Sequence, residues 1–261
     1  MNFVRLVFRL PAVMLVLLFS PMVSVLGGWF VSRDEVREYH WRCKVARCTA
    51  RLLLRSCGGK LTVEGKPPVT PFILVSNHLG YMDIVAMHTV VPAYYISKKE
   101  VANWPIIGAL VRNLNCLFVD REDPRDLVRL NPMITELVGK GLGVVFYPEG
   151  TSTRGETILP FMPSLLESAA VNDFPVYYAS ISYRTEEGAE AADHAVCWWG
   201  DMEFFPHLLN LLKHKTFYAT ITFGRDSLRN SNRKVLAKDL RNAVLEIFTP
   251  VVNQEDLCTT R

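Results

Sequence analysis

An imidazole and a carboxylate stand five residues apart in Ser76-Asn77-His78-Leu79-Gly80-Tyr81-Met82-Asp83, at His78 and Asp83. General base catalysis uses such a pair: the carboxylate fixes the imidazole tautomer and stabilises the imidazolium, while the other ring nitrogen takes a proton from a hydroxyl. In a regular helix this spacing falls about 140° off one face, because each residue turns roughly 100°. A turn at Gly80 removes the objection by letting His78 fold back over the first helical turn toward Asp83. A hydrogen-bonded structural histidine is the competing reading of the pair taken alone. The elements that must position it are the apolar run Phe72-Ile73-Leu74-Val75, a buried strand bounded by Pro71, and a buried helix carrying Met82, Ile84, Val85, Ala86 and Val90.

A second block, Phe146-Tyr147-Pro148-Glu149-Gly150-Thr151, stands behind a further apolar strand. Between the two lies Leu117-Phe118-Val119-Asp120-Arg121, and after them Phe174-Pro175-Val176 opens another strand. These four blocks, in this order over roughly residues 61–223, resemble the glycerolipid acyltransferase family. The resemblance implies O-acyl transfer from acyl-CoA or acyl carrier protein, as co-substrate, to the free hydroxyl of a lysolipid. In that reaction His78 is the base and Asp83 orients it. The block ending in Arg121 implies a phosphate-binding arginine, and Glu149 a carboxylate that binds lysolipid and steadies the site. Asn77, Gly150, Thr151 and Arg154 complete the expected substrate-binding set. Backbone amides near Glu149-Gly150-Thr151 are the expected donors to the oxyanion, since glycine permits close backbone approach. The acceptor so implied is 1-acylglycerol 3-phosphate, giving phosphatidic acid. A lyso-ornithine lipid or another lysophospholipid is the alternative.

The sequence departs from the family pattern twice. Ser152 stands where an arginine usually follows Glu-Gly-Thr, with Arg154 two positions later, and Tyr178 replaces the second proline of the last block. Both departures bear on the headgroup more than on the chemistry. Arg121 and Arg154 are the two cations available to a phosphate, because a guanidinium fork matches phosphate oxygens.

Composition narrows the alternatives. The 261 residues suffice for one domain with a full core, and 49% apolar residues against 21% charged exclude a disordered chain. A net charge of +3 is too small to argue for nucleic acid. The six cysteines (Cys43, Cys48, Cys57, Cys116, Cys197, Cys258) show neither metal-site spacing nor disulfide density, so reduced thiols are expected and no metal site is. There is no phosphate-binding glycine loop, dinucleotide fingerprint, G-x-S-x-G elbow or H-E-x-x-H, and no bound cofactor is expected. A lysophospholipase or thioesterase would show that elbow, and a non-catalytic scaffold would not need His78 and Asp83 together.

Residues 10–32 form an uncharged run of 23 residues, long enough to cross a hydrocarbon core, which takes about 20. A membrane anchor over residues 1–32 is the preferred reading. The rivals are a cleavable signal peptide, given the small residues of Ser24-Val25-Leu26-Gly27-Gly28, and a helix broken by Pro11 and Pro21 lying in one leaflet. Arg33, Arg37, Arg42, Lys44, Arg47 and Arg51 outnumber Arg5 and Arg9, which by the positive-inside bias keeps the catalytic domain cytoplasmic. Residues 33–59 are a basic juxtamembrane helix, either on the leaflet surface or packed on the domain.

Residues 60–250 form the catalytic domain and 251–261 a tail. Strands are expected at residues 61–63, 72–75, 94–97, 117–119, 143–147, 176–183, 196–199 and 217–223. Helices are expected at residues 126–140, 163–170 and 234–248, and a compact apolar segment around Trp104 to Val111. The resemblance implies an acyl-facing surface there, while plain core packing is the preferred reading of its residues taken singly. The aromatic stretch Trp198 to Pro206 is either core or a lipid contact. Strands alternating with helices imply a single α/β layered domain, its central sheet mostly parallel or mixed and flanked by helices.

Overall fold

The structure, a computed structural model, describes residues 2–31, 34–104, 106–113, 115–120 and 123–252. Arg33, Arg121 and residues 253–261 of the tail, Cys258 among them, lie outside the described residues. The chain runs α1 (Asn2–Val31), α2 (Glu35–Ser56), β1 (Gly59–Glu64), β2 (Phe72–Ser76), α3 (Tyr81–His88) and β3 (Tyr94–Lys98). It continues through α4 (Ile107–Asn113), β4 (Cys116–Val119), α5 (Pro124–Gly139), β5 (Gly143–Phe146) and α6 (Glu167–Val171). Then follow β6 (Val176–Thr185), α7 (Ala192–Ala195), α8 (Phe204–Leu211), β7 (Phe217–Phe223) and α9 (Arg233–Ile247).

The strands form one sheet in the order β1-β7-β6-β2-β5-β3-β4. Its pairings are parallel except β6 with β7. β2 lies in the middle and is buried along its whole length. Successive side chains of a strand point to opposite faces. Phe72 and Leu74 accordingly enter one core with Leu54, Met82, Ala86 and Leu211. Ile73 and Val75 enter the other with Leu130, Ile134, Leu236, Leu240 and Val244. Both faces are thus covered by helices, which is why β2 is a continuous apolar run rather than an alternating one.

The connections place the site. β2 leads through α3 over the first face to β3, while its neighbour β5 leads through α6 over the second face to β6. Where adjacent parallel strands send their crossovers to opposite faces, a crevice opens at their carboxyl ends. His78 follows β2 and Tyr147 follows β5, so both sit at that crevice.

The amino-terminal helix begins at Asn2 and runs unbroken through Pro11 and Pro21. It packs antiparallel on α2: Trp41 donates its Nε1–H to the Ser24 carbonyl at 3.1 Å, and Arg9 clasps the carbonyls of Cys57, Leu212, His214 and Lys215. Val13 and Leu17 join the first core, while Phe8, Leu15, Phe19, Met22, Leu26 and Trp29 stay exposed. This is the one described helix long and apolar enough to cross a membrane. α2 packs on the domain, burying Tyr39, Cys43, Val45, Leu53 and Leu54.

One expected strand is absent. Residues 196–199 follow the turn of α7 as irregular backbone, although four apolar residues in a row suggest a strand. Their donors are used outside any strand pairing: Cys197 N–H closes α7 onto Ala192, Trp198 N–H donates to the distant Leu79 carbonyl, and Trp199 Nε1–H to the Asp193 carbonyl. The aromatic stretch beyond them supplies α8, with Pro206 in the first turn where a missing N–H is harmless.

Candidate active site

Gly80 ends the segment after β2 at φ 151°, and an added Cβ there would lie 2.8 Å from Trp198 N, so no larger residue fits. The chain turns and enters α3, with Asp83 at the third helical position. A carboxylate there reaches back to free N–H groups at the helix start. Asp83 Oδ2 accepts from Leu79 N–H at 2.5 Å and Gly80 N–H at 3.0 Å, and lies 2.7 Å from His78 Nδ1. Its other oxygen accepts the Tyr183 hydroxyl at 2.7 Å. Asp83 is fully buried, so its four donors hold it in place and it in turn holds the imidazole.

With Nδ1 engaged, Nε2 is the nitrogen of His78 that can take a proton. The ring stacks on Tyr147 at a centroid distance of 4.4 Å and an interplanar angle of 17°, which fixes its plane. Thr153 N–H and Trp198 N–H bind the carbonyls of His78 and Leu79 at 3.0 and 2.8 Å. Backbone and ring are therefore both positioned before any substrate arrives.

Glu149 comes to the same centre from β5. Its Oε1 accepts His78 N–H at 2.7 Å and its Oε2 accepts Leu159 N–H at 2.8 Å, so both oxygens frame the site. Asn77 works likewise: it is buried, donates to the Ile181 carbonyl at 2.9 Å and accepts from Ile181 N–H at 2.7 Å, tying the end of β2 to β6. Gly150 adopts φ 75° with its N–H toward the Tyr147 carbonyl, and Thr151 is exposed beside it. Arg154 lies one residue beyond Thr153, paired with Glu156 and Asp193. The structure thus brings His78, Asp83, Glu149 and Asn77 together, with Gly150, Thr151 and Arg154 on the adjoining loop.

Two members of the constellation were not singled out from sequence. Tyr147 stands inside the second block, and its neighbour Glu149 was the available signal. Tyr183 carries no local signal, being 100 residues from Asp83 in the chain.

Burial pushes the Glu149 carboxyl up to about 7, against the smaller opposing pull of the Leu159 and His78 amides. Its folded pKa lies above its unfolded one, so between pH 4.5 and about 7 the native state keeps a proton that the unfolded chain has released. The native state is favoured most below pH 4.5, loses stability as pH rises, and carries the full penalty above about 7. Glu149→Gln has no such proton to lose. Denaturant unfolding across pH 4.5 to 7.5 should therefore show a slope in the wild type that is flattened in the variant, by about 2–4 kcal/mol over the window. Parallel slopes would exclude Glu149 as the group that titrates.

The chain is similar to other proteins in sequence and in fold. The family model described as Acyltransferase matches residues 60–182. A lyso-ornithine lipid O-acyltransferase from Rhizobium meliloti is 30% identical over 87% of this chain and 79% of its own length. A 1-acyl-sn-glycerol-3-phosphate acyltransferase from Neisseria gonorrhoeae is 32% identical over 46% of this chain and 47% of its own. These curated relatives and others like them are spanned by this chain over about a third to four fifths of their length. The fold also matches the crystal structure of a 1-acyl-sn-glycerophosphate acyltransferase from Thermotoga maritima, with a TM-score of 0.67 over 94% of this chain and 97% of that one, at 18% identity. An Nδ1-anchored histidine at the head of a central strand, and the family match over the residues that build it, lead to one assignment: the chain belongs to the acyltransferase family.

Proposed function

We propose that the chain moves a fatty acyl group from a thioester, acyl-CoA or acyl carrier protein, to the free hydroxyl of a membrane lysolipid. The observation that carries this reading is the 2.7 Å contact of His78 Nδ1 with a buried Asp83 at the mouth of the crevice. His78 Nε2 takes the hydroxyl proton as the oxygen attacks the thioester carbonyl. The carbon–sulfur bond then breaks, and the departing thiolate takes the proton back from the imidazolium. A positioned base is worth about 10²–10⁴ in rate for an alcohol whose own pKa lies far above 7. No serine or cysteine nucleophile is needed, so no acyl-enzyme forms.

The exposed apolar face of α1 brings the crevice to the bilayer, where the lysolipid resides, and the basic residues of α2 keep the domain on the cytoplasmic side. For the acceptor, the family resemblance alone implies 1-acylglycerol 3-phosphate. Two observations favour the other reading, a lyso-ornithine lipid. The relative named for that substrate aligns over 79% of its length against 47% for the one named for the glycerophosphate. Arg154, one of two cations expected to meet a phosphate, already pairs with two carboxylates. Enzyme purified into mixed vesicles should move labelled acyl groups to a lysolipid from one or both donors. Thioester hydrolysis at the same rate without lysolipid would reverse the assignment in favour of a thioesterase.

A further inference from the structure

Two loops grip the backbone of the catalytic pair from outside, through Thr153 on His78 and Trp198 on Leu79. The next residue of each loop is Arg154 and Trp199, and these two meet, the guanidinium lying 5.6 Å over the indole. Arg154 is therefore fixed beside the crevice by the same two loops that fix His78. Two carboxylates face its charge at ion-pair distance: Nη2 lies 3.3 Å from Asp193 Oδ2, and Nε lies 3.1 Å from Glu156 Oε1 without hydrogen-bond alignment. Asp193 is itself 4% exposed, stands in α7, and accepts Trp199 Nε1–H on its carbonyl at 2.9 Å. Besides Arg154, only the half-exposed His194 pairs with the Asp193 carboxylate among the described residues, at 3.6 Å.

An arginine held by two carboxylates is a poor ligand for a dianion. A phosphate that took it would leave a buried carboxylate behind without its partner, which is strongly unfavourable. We propose that Asp193 is a positioning residue that withholds Arg154 from the acceptor headgroup, and so turns acceptor preference away from phosphate monoesters. This rests on the lysolipid acyltransferase reading given above and adds the feature that selects among lysolipids. Trp199 serves the same end by holding both partners, one through its ring face and one through its N–H.

The test is Asp193→Asn, with kcat and KM measured for 1-acylglycerol 3-phosphate and for a lyso-ornithine lipid in the same vesicles at saturating donor. A guanidinium released to one phosphate should raise the ratio of kcat/KM, phosphate acceptor over phosphate-free acceptor, by about tenfold. The change should be carried by the KM for the phosphate acceptor rather than by kcat. Adding Arg154→Gln to that variant should return the ratio to its starting value. Glu156→Gln, at the half-exposed partner, should move the ratio the same way by about two- to threefold, and decides the matter if Asp193→Asn does not fold. A purely structural Asp193 would lower both acceptors together. Transfer with an unchanged ratio in the folded variants would overturn the inference alone. A wild type that acylates neither of these nor any other lysophospholipid would overturn the transferase reading, and the inference with it.

Discussion

His78→Ala should lower acyl transfer by about two to four orders of magnitude while leaving the fold in place. The ring is a terminal group at the mouth of the crevice, and the contacts that shape its segment are made by backbone: its N–H to Glu149, its carbonyl to Thr153. Removing the side chain therefore deletes the base and the stack on Tyr147 without disturbing β2 or α3. Circular dichroism should stay near wild type and the melting temperature should fall by only a few degrees, for one of the four Asp83 donors and the ring stack, as turnover collapses. A variant that unfolds would show that the ring supports the structure as well, and one that turns over normally would remove His78 from the mechanism.

Asp83→Asn should lose both activity and stability. The carboxylate accepts four donors, and an amide offers one oxygen and turns an NH₂ group toward donors that need an acceptor. In a fully buried position that mismatch costs about 3 kcal/mol or more, which for a domain of this size lowers the melting temperature by roughly 6–12 °C. Activity should fall by about three orders of magnitude or more, since the amide favours the wrong imidazole tautomer. Tyr183→Phe removes only one of the four donors and should cost about 1 kcal/mol, so the two variants together measure how much of the site the carboxylate holds. Unfolding curves matching wild type for Asp83→Asn would mean that the network around this residue is not what orders the segment.

What was legible in the sequence was local. Phe72 to Val75, Gly80 and Asp83 lie within a dozen residues, so the strand, the turn and the returning carboxylate follow from short-range periodicity and from the backbone freedom of one glycine. The helices α5 and α9 announced themselves by apolar spacing, and their boundaries shifted by only one or two residues at either end. Partners set by tertiary pairing were not legible. Tyr183 reaches Asp83 because β6 lies beside β2, a neighbour fixed by sheet order and not by any spacing along the chain. Glu149 was placed at the right strand end, but its two amide donors depend on where residues 78 and 159 come to rest. The run Val196 to Trp199 misled because apolar residues in sequence look alike whether they pair in a sheet or pack as a loop whose donors go to α7 and to the turn after β2.

The central claim is direct acyl transfer from thioester to lysolipid with His78 as the base. A single-turnover experiment with the thioester labelled in its acyl chain tests it, run on wild type and His78→Ala in vesicles with and without lysolipid. Label is expected in the acylated lipid for wild type alone, none when lysolipid is omitted, and none on the denatured protein at any time. Label retained covalently on the protein, or product formed by His78→Ala at the wild-type rate, would contradict it.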